Sequence, residues 1–403
     1  MTTLSVVIPA YNEENGIKEI ALRVLAIKPA LAEVGVEDLE LIVVDDGSSD
    51  KTGEIAGSIM GVRLITQTNK GYGGALKTGF ANAKGELIGF LDADGTYPPE
   101  YFPKLCVAAL DGADLVIGSR RAGEESQMPV TRRLGNFFFA NLLSLVSRKK
   151  VTDSASGQRV FKRDIYERML PLPDGLNLTP VQSARALHEE MRVVEVPIPY
   201  SERLGRSKLS VVHDGRVFLE SMLWTVMMYN PVRVLGLFGL GGVGVALIAF
   251  LALLVARLSG STSLGPWGIA GVFIGAISGV VGVSLYTLGV TFNRLVKIIN
   301  PNTTPRQGIF GGLIFKESPD RYFGWIGLVS FLLGIIIGIG TLILGFFGWD
   351  IARQFLYLLG SAIFILLGVQ LIISWILVSI LDEVSQRQNQ IIKDLDRDNQ
   401  KSV

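Results

Sequence analysis

Short apolar runs alternate with helical segments in the first half of the chain, from residue 4 to about residue 210. The candidate strands are Leu4–Pro9, Leu39–Asp45, Arg63–Thr66, Leu87–Asp92 and Leu115–Ser119. Between them, segments such as Ile17–Leu31 and Gly74–Lys84 are predicted to be helical. Strands that alternate with helices predict an α/β fold, in which a mostly parallel sheet is covered by helices on both faces.

The second half of the chain has a different pattern, with long stretches that are apolar on every helical face. They are Val234–Val255, Trp267–Val290, Trp325–Phe347 and Phe355–Leu381. A helix of about 20 residues crosses a bilayer, so each stretch is long enough to do so. The sequence therefore predicts a four-helix transmembrane domain at residues 231–381, after a soluble domain at residues 1–210 and before a charged tail at residues 382–403.

The segment that joins the two halves, Val211–Tyr229, mixes large apolar side chains such as Phe218 and Trp224 with charged ones such as Arg216 and Glu220. This mixture predicts an amphipathic helix, residues 211–230, that lies in the membrane interface before the first span. An ordinary surface helix of the soluble domain remains the alternative interpretation.

The distribution of basic residues predicts the orientation in the membrane. The link between the second and third spans contains Arg294, Lys297, Arg306, Lys316 and Arg321, whereas the links on the other side contain only Arg257 and Arg353. Cytoplasmic loops carry the excess of Lys and Arg, so the middle loop and both termini should be cytoplasmic. The N-terminus also lacks the basic region of a signal peptide. We expect a multi-pass protein of the plasma (cytoplasmic) membrane, with its soluble domain in the cytosol.

Charge and composition exclude some classes of partner. The formal net charge is only +1, which gives no indication of nucleic-acid binding. Cys106 is the only cysteine, so no intramolecular disulfide can form, as suits a reducing compartment. In the second span, Gly271, Gly275 and Gly279 follow one another at intervals of four residues. Because such spacing lets helices approach closely, a homo-oligomer through the glycine-rich spans is one expected arrangement.

Polar and acidic residues follow three of the predicted strands. The relevant runs are Pro9-Ala10-Tyr11-Asn12-Glu13, Asp45-Asp46-Gly47-Ser48 and Asp92-Ala93-Asp94-Gly95. Ligands bind outside the carboxyl ends of the strands in parallel sheets, so these runs predict one site. Asp92 and Asp94 are two residues apart and should point to the same side. Their hard oxygen ligands suit Mg²⁺ or Mn²⁺, which would neutralise a diphosphate.

These motifs, in this order, resemble those of the family 2 inverting glycosyltransferases, which have the nucleotide-diphospho-sugar (GT-A, Rossmann-like) fold. Within that family they are most similar to dolichol-phosphate mannose synthases and bacterial polyprenyl-phosphate glycosyltransferases. The matching runs are Val6–Glu13, Val44–Asp50, Gly71–Ala75, Leu91–Asp94 and Ile117–Arg120. The resemblance covers roughly residues 4 to 210. It implies transfer of one sugar from GDP-mannose or a UDP-sugar to a dolichyl or undecaprenyl phosphate.

The resemblance also implies the donor site. The residues expected to hold the nucleotide-sugar are Pro9, Tyr11, Glu13, Val44, Asp46, Asp92, Ala93 and Asp94, with Asp46 near the base. Asp92 and Asp94 would bind the metal ion and the diphosphate. Mannose-type synthases often have Gln two positions after the second Asp, where this chain has Thr96, the third candidate metal contact. The identity of the sugar stays open.

A phosphate acceptor needs cationic partners, and Arg and Lys are the usual ones. The resemblance implies that the acceptor phosphate is bound by Arg120, Arg132, Arg203, Ser207 and Lys208, the last three in the run Arg203–Lys208. That run directly precedes the predicted interfacial helix, which would bring it to the bilayer surface. Attraction to anionic lipid headgroups, without a catalytic role, is the alternative for this cluster.

The expected chemistry needs no histidine base. The second pKa of a phosphate monoester is about 6, so the acceptor is mostly a dianion at neutral pH and is already nucleophilic. Asp153 and Asp94 are the candidate catalytic residues. By resemblance, Asp153 would be a base or would orient the metal or acceptor, although it could simply cap the following turn. Direct attack would invert the anomeric carbon and give a β-linked product.

Two other functions compete with this interpretation. Processive polysaccharide synthases share the fold and the membrane helices, but their Q-x-x-R-W motif is absent from this sequence. A transporter that binds nucleotide-sugars would be expected to have charged residues inside its spans, and these spans contain almost none.

Overall fold

The structure is a computed structural model, and it describes residues 2–121, 130–147, 150–201, 211–260, 265–299 and 319–401. The chain divides into two compact units, residues 1–225 and residues 226–403.

The first unit is built on a seven-stranded sheet in the order β3-β2-β1-β4-β6-β5-β7. The strands are β1 (Thr3–Ala10), β2 (Asp38–Asp45), β3 (Val62–Thr66), β4 (Leu87–Phe90), β5 (Leu115–Ser119), β6 (Arg159–Lys162) and β7 (Val193–Pro197). All neighbouring strands pair in parallel except β6, which is antiparallel to both β4 and β5. This arrangement confirms the predicted α/β fold.

Eight α-helices are described between residues 2 and 229. They are α1 (Ile17–Ala26), α2 (Lys28–Glu33), α3 (Thr52–Gly57), α4 (Tyr72–Asn82), α5 (Phe102–Leu110), α6 (Val130–Ser147), α7 (Leu178–His188) and α8 (Val211–Tyr229). The sheet has a hydrophobic core on each face: Val6 and Ile8 pack in one core, and Val7, between them, packs in the other. Successive side chains of a strand point to opposite faces, so the unbroken apolar run of β1 matches a strand buried on both sides.

The predicted elements differ from the observed ones in detail. All five predicted strands are present, but β6 and β7 were not predicted. The predicted helix Ile17–Leu31 is divided into α1 and α2, and Pro29 lies in the first turn of α2. Proline has no N–H and is tolerated there but not within a helix, which accounts for the division.

The second unit contains α9 (Pro231–Leu258), α10 (Pro266–Ile299), α11 (Phe323–Phe346) and α12 (Ile351–Lys401). Among the described residues, four segments are long and apolar enough to cross a membrane, and each contains most of one predicted span: Pro231–Leu258, Pro266–Ile299, Asp320–Phe346 and Gln354–Arg387. The prediction of a four-helix transmembrane domain is confirmed at this level.

Glycines bring neighbouring helices of this unit into close contact. A Cβ atom added to Gly282 of α10 would lie 2.6 Å from the backbone oxygen of Gly239 in α9. Gly275 and Gly279 also face α9, whereas a Cβ at Gly271 would meet no atom of the described residues within 4 Å. Packing within one chain therefore accounts for two of the three glycines in the predicted motif, and a homo-oligomer stays a prediction.

Candidate active site

The carboxyl ends of the parallel strands border a cavity of about 520 Å³ in the first unit. Nine of the predicted site residues line it: Pro9, Tyr11, Glu13, Asp46, Asp92, Ala93, Asp94, Thr96 and Arg120. Val44 does not belong to the described lining, because its side chain is fully buried in the hydrophobic core. The three polar strand ends thus meet at one site.

Asp46 shapes the loop that borders one side of the cavity. Its Oδ1 accepts hydrogen bonds from Gln67 Nε2 (2.6 Å) and from the backbone N–H of Lys70 (2.9 Å). Its Oδ2 accepts one from the N–H of Gly71 (2.8 Å), a residue whose φ of 87° favours glycine. The carboxylate is 3% exposed. Asp46 therefore fixes the loop that includes Asn69 and Gly71, both of which line the cavity.

Asp94 is held by the residue that was predicted as the third metal contact. Both the backbone N–H (3.1 Å) and the Oγ1 hydroxyl (2.6 Å) of Thr96 donate to Asp94 Oδ1. Thr96 is buried, with 1% of its surface exposed. In this structure Thr96 orients the Asp94 carboxylate, because its hydroxyl group donates a hydrogen bond to that carboxylate.

The two acidic residues fit a divalent metal that is completed by the donor. Within the described ranges, no group of three or more His, Cys, Asp or Glu side chains is placed to hold a metal ion. Mg²⁺ is usually bound through one or two carboxylates together with substrate phosphates and water, so a pair such as Asp92 and Asp94 suffices. The residues present therefore fit a site for Mg²⁺ or Mn²⁺ that forms with a bound diphosphate.

Arg120, which also lines the cavity, is paired with Asp153. Arg120 Nε donates to Asp153 Oδ2 and Nη2 donates to Oδ1, each over 2.7 Å, and the Arg120 N–H also donates to Oδ2 (3.0 Å). Asn136 Nδ2 of α6 donates to Oδ1 (2.8 Å). Burial of Asp153 raises the pKa of its carboxyl group. The charge of Arg120 and these hydrogen bonds oppose that effect, and the resulting pKa is below its ordinary value.

Arg120 reaches the cavity while Asp153 lies behind it. The Arg120 side chain lines the cavity and is 12% exposed, whereas the Asp153 side chain is fully buried. The guanidinium carbon lies 5.8 Å from the ring centre of Tyr97 and 5.5 Å from that of Tyr200, and Nη1 donates to the Tyr97 hydroxyl (3.0 Å). Arg120 is thus fixed in position before any ligand binds.

A second guanidinium, that of Arg159 in β6, lies wholly inside the protein. Its hydrogen bonds go to neutral oxygens: the carbonyls of Ser154 and Ser156, Gln182 Oε1 and Ser183 Oγ. Burial lowers its pKa to about 10, so the group remains cationic at neutral pH. The Asp153 carboxylate thus acts electrostatically on two guanidinium groups, those of Arg120 and Arg159. No sequence pattern had indicated Arg159.

The cavity ends in an apolar wall. Phe139 of α6 and Phe218 of α8 line it with their rings 6.0 Å apart in an edge-to-face arrangement, and Leu176 lies nearby in the same lining. The outer face of α6 exposes three more large apolar side chains, Leu134, Phe137 and Phe138. The prediction of an amphipathic segment at residues 211–230 had not indicated this second helix.

Part of the predicted acceptor site lies beyond the structural description. Arg203, Ser207 and Lys208 lie outside the described residues, and for Arg132 only the backbone, within α6, is described. Their roles stay predictions.

Comparison with known proteins identifies the family. Residues 5–170 match the Glycosyl transferase family 2 profile, and residues 231–392 match a domain of unknown function (DUF8752). A dolichyl-phosphate hexose transferase from Haloferax volcanii is 34% identical over 55% of this chain and 92% of its own length. An undecaprenyl-phosphate 4-deoxy-4-formamido-L-arabinose transferase from Edwardsiella ictaluri is 30% identical over 79% of this chain and 96% of its own length.

Among solved structures, glucosyl-3-phosphoglycerate synthase from Mycobacterium tuberculosis is 22% identical over 56% of this chain and 78% of its own, with a TM-score of 0.44. The two transferases establish the family, because each is at least 30% identical to this chain and the chain covers nearly all of its length. The chain belongs to glycosyl transferase family 2, and the resemblance found in the motifs is confirmed. The protein is a glycosyltransferase with a GT-A catalytic domain.

Proposed function

We propose that this protein transfers one sugar from a nucleotide-sugar to a polyprenyl phosphate at the cytoplasmic face of a membrane, with inversion at the anomeric carbon. One observation carries the proposal: a single cavity is lined by an acidic pair, by the Arg120 guanidinium and by an apolar wall. A nucleotide diphosphate, a phosphate and a hydrocarbon chain are the chemical groups that these three surfaces suit. The names of the two related transferases agree with such an acceptor.

The acidic side suits the donor. Asp92 and Asp94 would hold Mg²⁺ or Mn²⁺, which when bound neutralises the diphosphate and the charge that develops on it as it leaves. Asp46 and the loop that it fixes would receive the nucleotide, beside Pro9 and Tyr11. Thr96 keeps Asp94 in one orientation, so little rearrangement is required when the donor binds.

The basic side suits the acceptor phosphate. Arg120 presents its guanidinium to the cavity, and Arg159 adds a positive charge from within the protein. A phosphate oxygen would attack the anomeric carbon. The bond from that carbon to the diphosphate would break, and the nucleoside diphosphate would leave with the bonding electrons. The acceptor is already a dianion, so no proton has to be removed.

These contacts favour an orienting role for Asp153 over a base. Both of its oxygens accept hydrogen bonds from Arg120, its carboxyl pKa is lowered, and it lies behind the cavity. A general base has to reach the proton that it removes, and its pKa works best near the operating pH. Asp153 would instead hold Arg120 toward the acceptor phosphate.

The apolar wall suits the first isoprene units of the acceptor. Phe139, Phe218 and Leu176 would bury hydrocarbon that otherwise contacts water, at about 25 cal/mol per Å². The exposed face of α6, with Leu134, Phe137 and Phe138, supports contact of this helix with the membrane interface, in addition to α8.

The remaining assignments belong to the same proposal. We infer a cytosolic catalytic domain at residues 1–210 and both termini in the cytoplasm of a plasma-membrane protein, because basic residues are concentrated in the middle loop. The sugar and the choice between dolichyl and undecaprenyl phosphate are left for experiment.

The test is transfer of radiolabel by the purified full-length protein in detergent, with a polyprenyl phosphate, Mn²⁺ or Mg²⁺ and a panel of nucleotide-sugars. We expect metal-dependent label in the lipid extract from at least one donor, lost in Asp94→Ala. Label in insoluble polymer would instead indicate a processive synthase. Nucleotide-sugar binding without transfer to any acceptor would contradict the proposal and favour a transporter.

A further inference from the structure

Tyr72, the first residue of α4, donates a hydrogen bond from its hydroxyl to Asp92 Oδ1 over 2.7 Å. Both residues line the cavity, although 20 positions separate them in the sequence. We propose that Tyr72 is a positioning residue that fixes the Asp92 carboxylate for the metal and diphosphate. The inference rests on the proposed function and deepens it.

Gly157 lies against the Asp92 carboxylate. A Cβ atom added to Gly157 would lie 2.7 Å from Asp92 Oδ2 and 2.9 Å from Oδ1, so this position accepts no larger side chain without moving the carboxylate. Gly157 is itself held, because its backbone N–H donates to the Tyr97 hydroxyl (2.7 Å). The hydrogen bond from Tyr72 and the close approach of Gly157 thus both restrict the Asp92 carboxylate.

The start of α4 is a rigid support for this tyrosine. A Cβ atom at Gly73 would lie 2.2 Å from the carbonyl oxygen of Pro173, which shows how closely the two segments pack. The N–H of Gly74 donates to the carbonyl of Asp174 (3.0 Å), and the N–H of Gly71 donates to Asp46. The helix start is therefore fixed from both sides, and the Tyr72 hydroxyl with it.

A residue that forms a hydrogen bond to a metal ligand affects how tightly the site binds the metal. Partners of metal ligands set the ligand orientation, and their loss typically lowers metal affinity by about 10- to 100-fold. A tyrosine that merely stabilised the fold would change the unfolding temperature and leave metal affinity unchanged. A tyrosine that contacted only the sugar or nucleotide would change donor affinity without metal as much as with it.

The experiment compares wild type with Tyr72→Phe as full-length proteins in detergent. Mn²⁺ binding is measured by electron paramagnetic resonance in the presence of GDP or UDP, and binding of the nucleotide alone is measured without metal. We expect Tyr72→Phe to raise the Mn²⁺ concentration for half-saturation by about 10-fold or more. Metal-free nucleotide binding should not change.

Tyr166→Phe is the matched control, because Tyr166 is also partly buried but packs against the rings of Phe80 and Phe161. It should bind Mn²⁺ as wild type does. Gly157→Ala is the second variant: its added methyl group would displace the same carboxylate and should weaken Mn²⁺ binding too. In an Asp92→Ala background, Tyr72→Phe should add no further loss, since the two changes remove one interaction.

Two results would overturn the inference. One of them would leave the proposed function intact, and the other would overturn that function as well. Normal Mn²⁺ binding by wild type and equal binding by Tyr72→Phe would overturn the positioning role alone. Failure of wild type to bind Mn²⁺ with either nucleotide would overturn the metal-dependent function and the inference with it.

Discussion

Arg120 and Asp153 form a buried ion pair with two hydrogen bonds of 2.7 Å between the guanidinium and the carboxylate. They are 33 residues apart. The sequence predicted separate roles for them: Arg120 was expected to bind the acceptor phosphate and Asp153 to be a catalytic residue. Of the two, Arg120 lines the cavity, so we propose that the Asp153 carboxylate serves the reaction through the cation that it holds. The pair is therefore one functional unit.

Removal of one member of this pair should destabilise the catalytic domain. Arg120→Met leaves the Asp153 charge buried without its partner, and loss of one partner of a buried pair costs about 3–5 kcal/mol in the free energy of unfolding. Thermal unfolding followed by circular dichroism should show a lower midpoint. The double variant Arg120→Met/Asp153→Asn should recover part of the loss, because it removes the unpaired carboxylate but also the negative charge that acts on the buried Arg159. Equal midpoints for wild type and Arg120→Met would contradict the account of a buried pair.

The dependence of activity on pH should reflect the acceptor and not Asp153. The folded pKa of Asp153 is lowered, so the carboxylate stays charged at neutral pH and loses its stabilising effect only as acid protonates it. Transfer rates should therefore fall below about pH 6, where the phosphate acceptor takes up its second proton.

Asp153→Asn is the variant that separates the two interpretations. It should lower the rate and leave the midpoint of the acid limb where it is in wild type. If the acid limb disappeared in Asp153→Asn, Asp153 would be the titrating base.

The loop fixed by Asp46 should determine donor affinity. Asp46→Asn replaces one carboxylate oxygen, which accepts hydrogen bonds from N–H groups, with an NH₂ group that cannot accept them. Hydrogen bonds to charged groups contribute about 1.5–3 kcal/mol each to stability. We expect the KM for the nucleotide-sugar to rise roughly 10-fold or more, with the KM for the lipid unchanged. Asp38→Asn, at the exposed start of β2, is the control. An equal rise in both KM values would indicate general damage to the fold.

The apolar wall should distinguish acceptors by their hydrocarbon. Phe139→Ala removes an aromatic ring, and burial of a Phe side chain is worth about 1.5–3 kcal/mol. The KM should therefore rise about 10-fold for a polyprenyl phosphate and little for a phosphate with a single isoprene unit. Leu134→Ala, on the exposed face of α6, should not change this ratio in detergent. An unchanged KM for the long-chain acceptor would place the hydrocarbon elsewhere.

The sequence predicted the fold where hydrophobic periodicity is strong. The runs of β1 and β2 are buried on both faces, and their polar ends converge because parallel strands end at one edge of the sheet. The strand β6 escaped prediction because it is four residues long, runs antiparallel and begins with Arg159, a residue type that is rarely buried.

Contacts between residues that are far apart in the sequence could not be predicted from the spacing of the motifs. The bonds from Arg120 to Asp153 and from Tyr72 to Asp92 join different elements, and their geometry depends on how those elements pack. The same holds for Thr96, which is only two residues from Asp94. Its position was recognised from the motif, but the hydrogen bond from its hydroxyl group to the Asp94 carboxylate was not predicted.

The most direct test of the account is the structure of the lipid product. The wild-type protein would be supplied with a polyprenyl phosphate and the donor that labels the lipid, and the product analysed by mass spectrometry and by NMR of the anomeric proton. We predict one added sugar per lipid, joined through the phosphate in the configuration opposite to that of the donor. Addition of several sugars, or retention of the donor configuration, would contradict single inverting transfer.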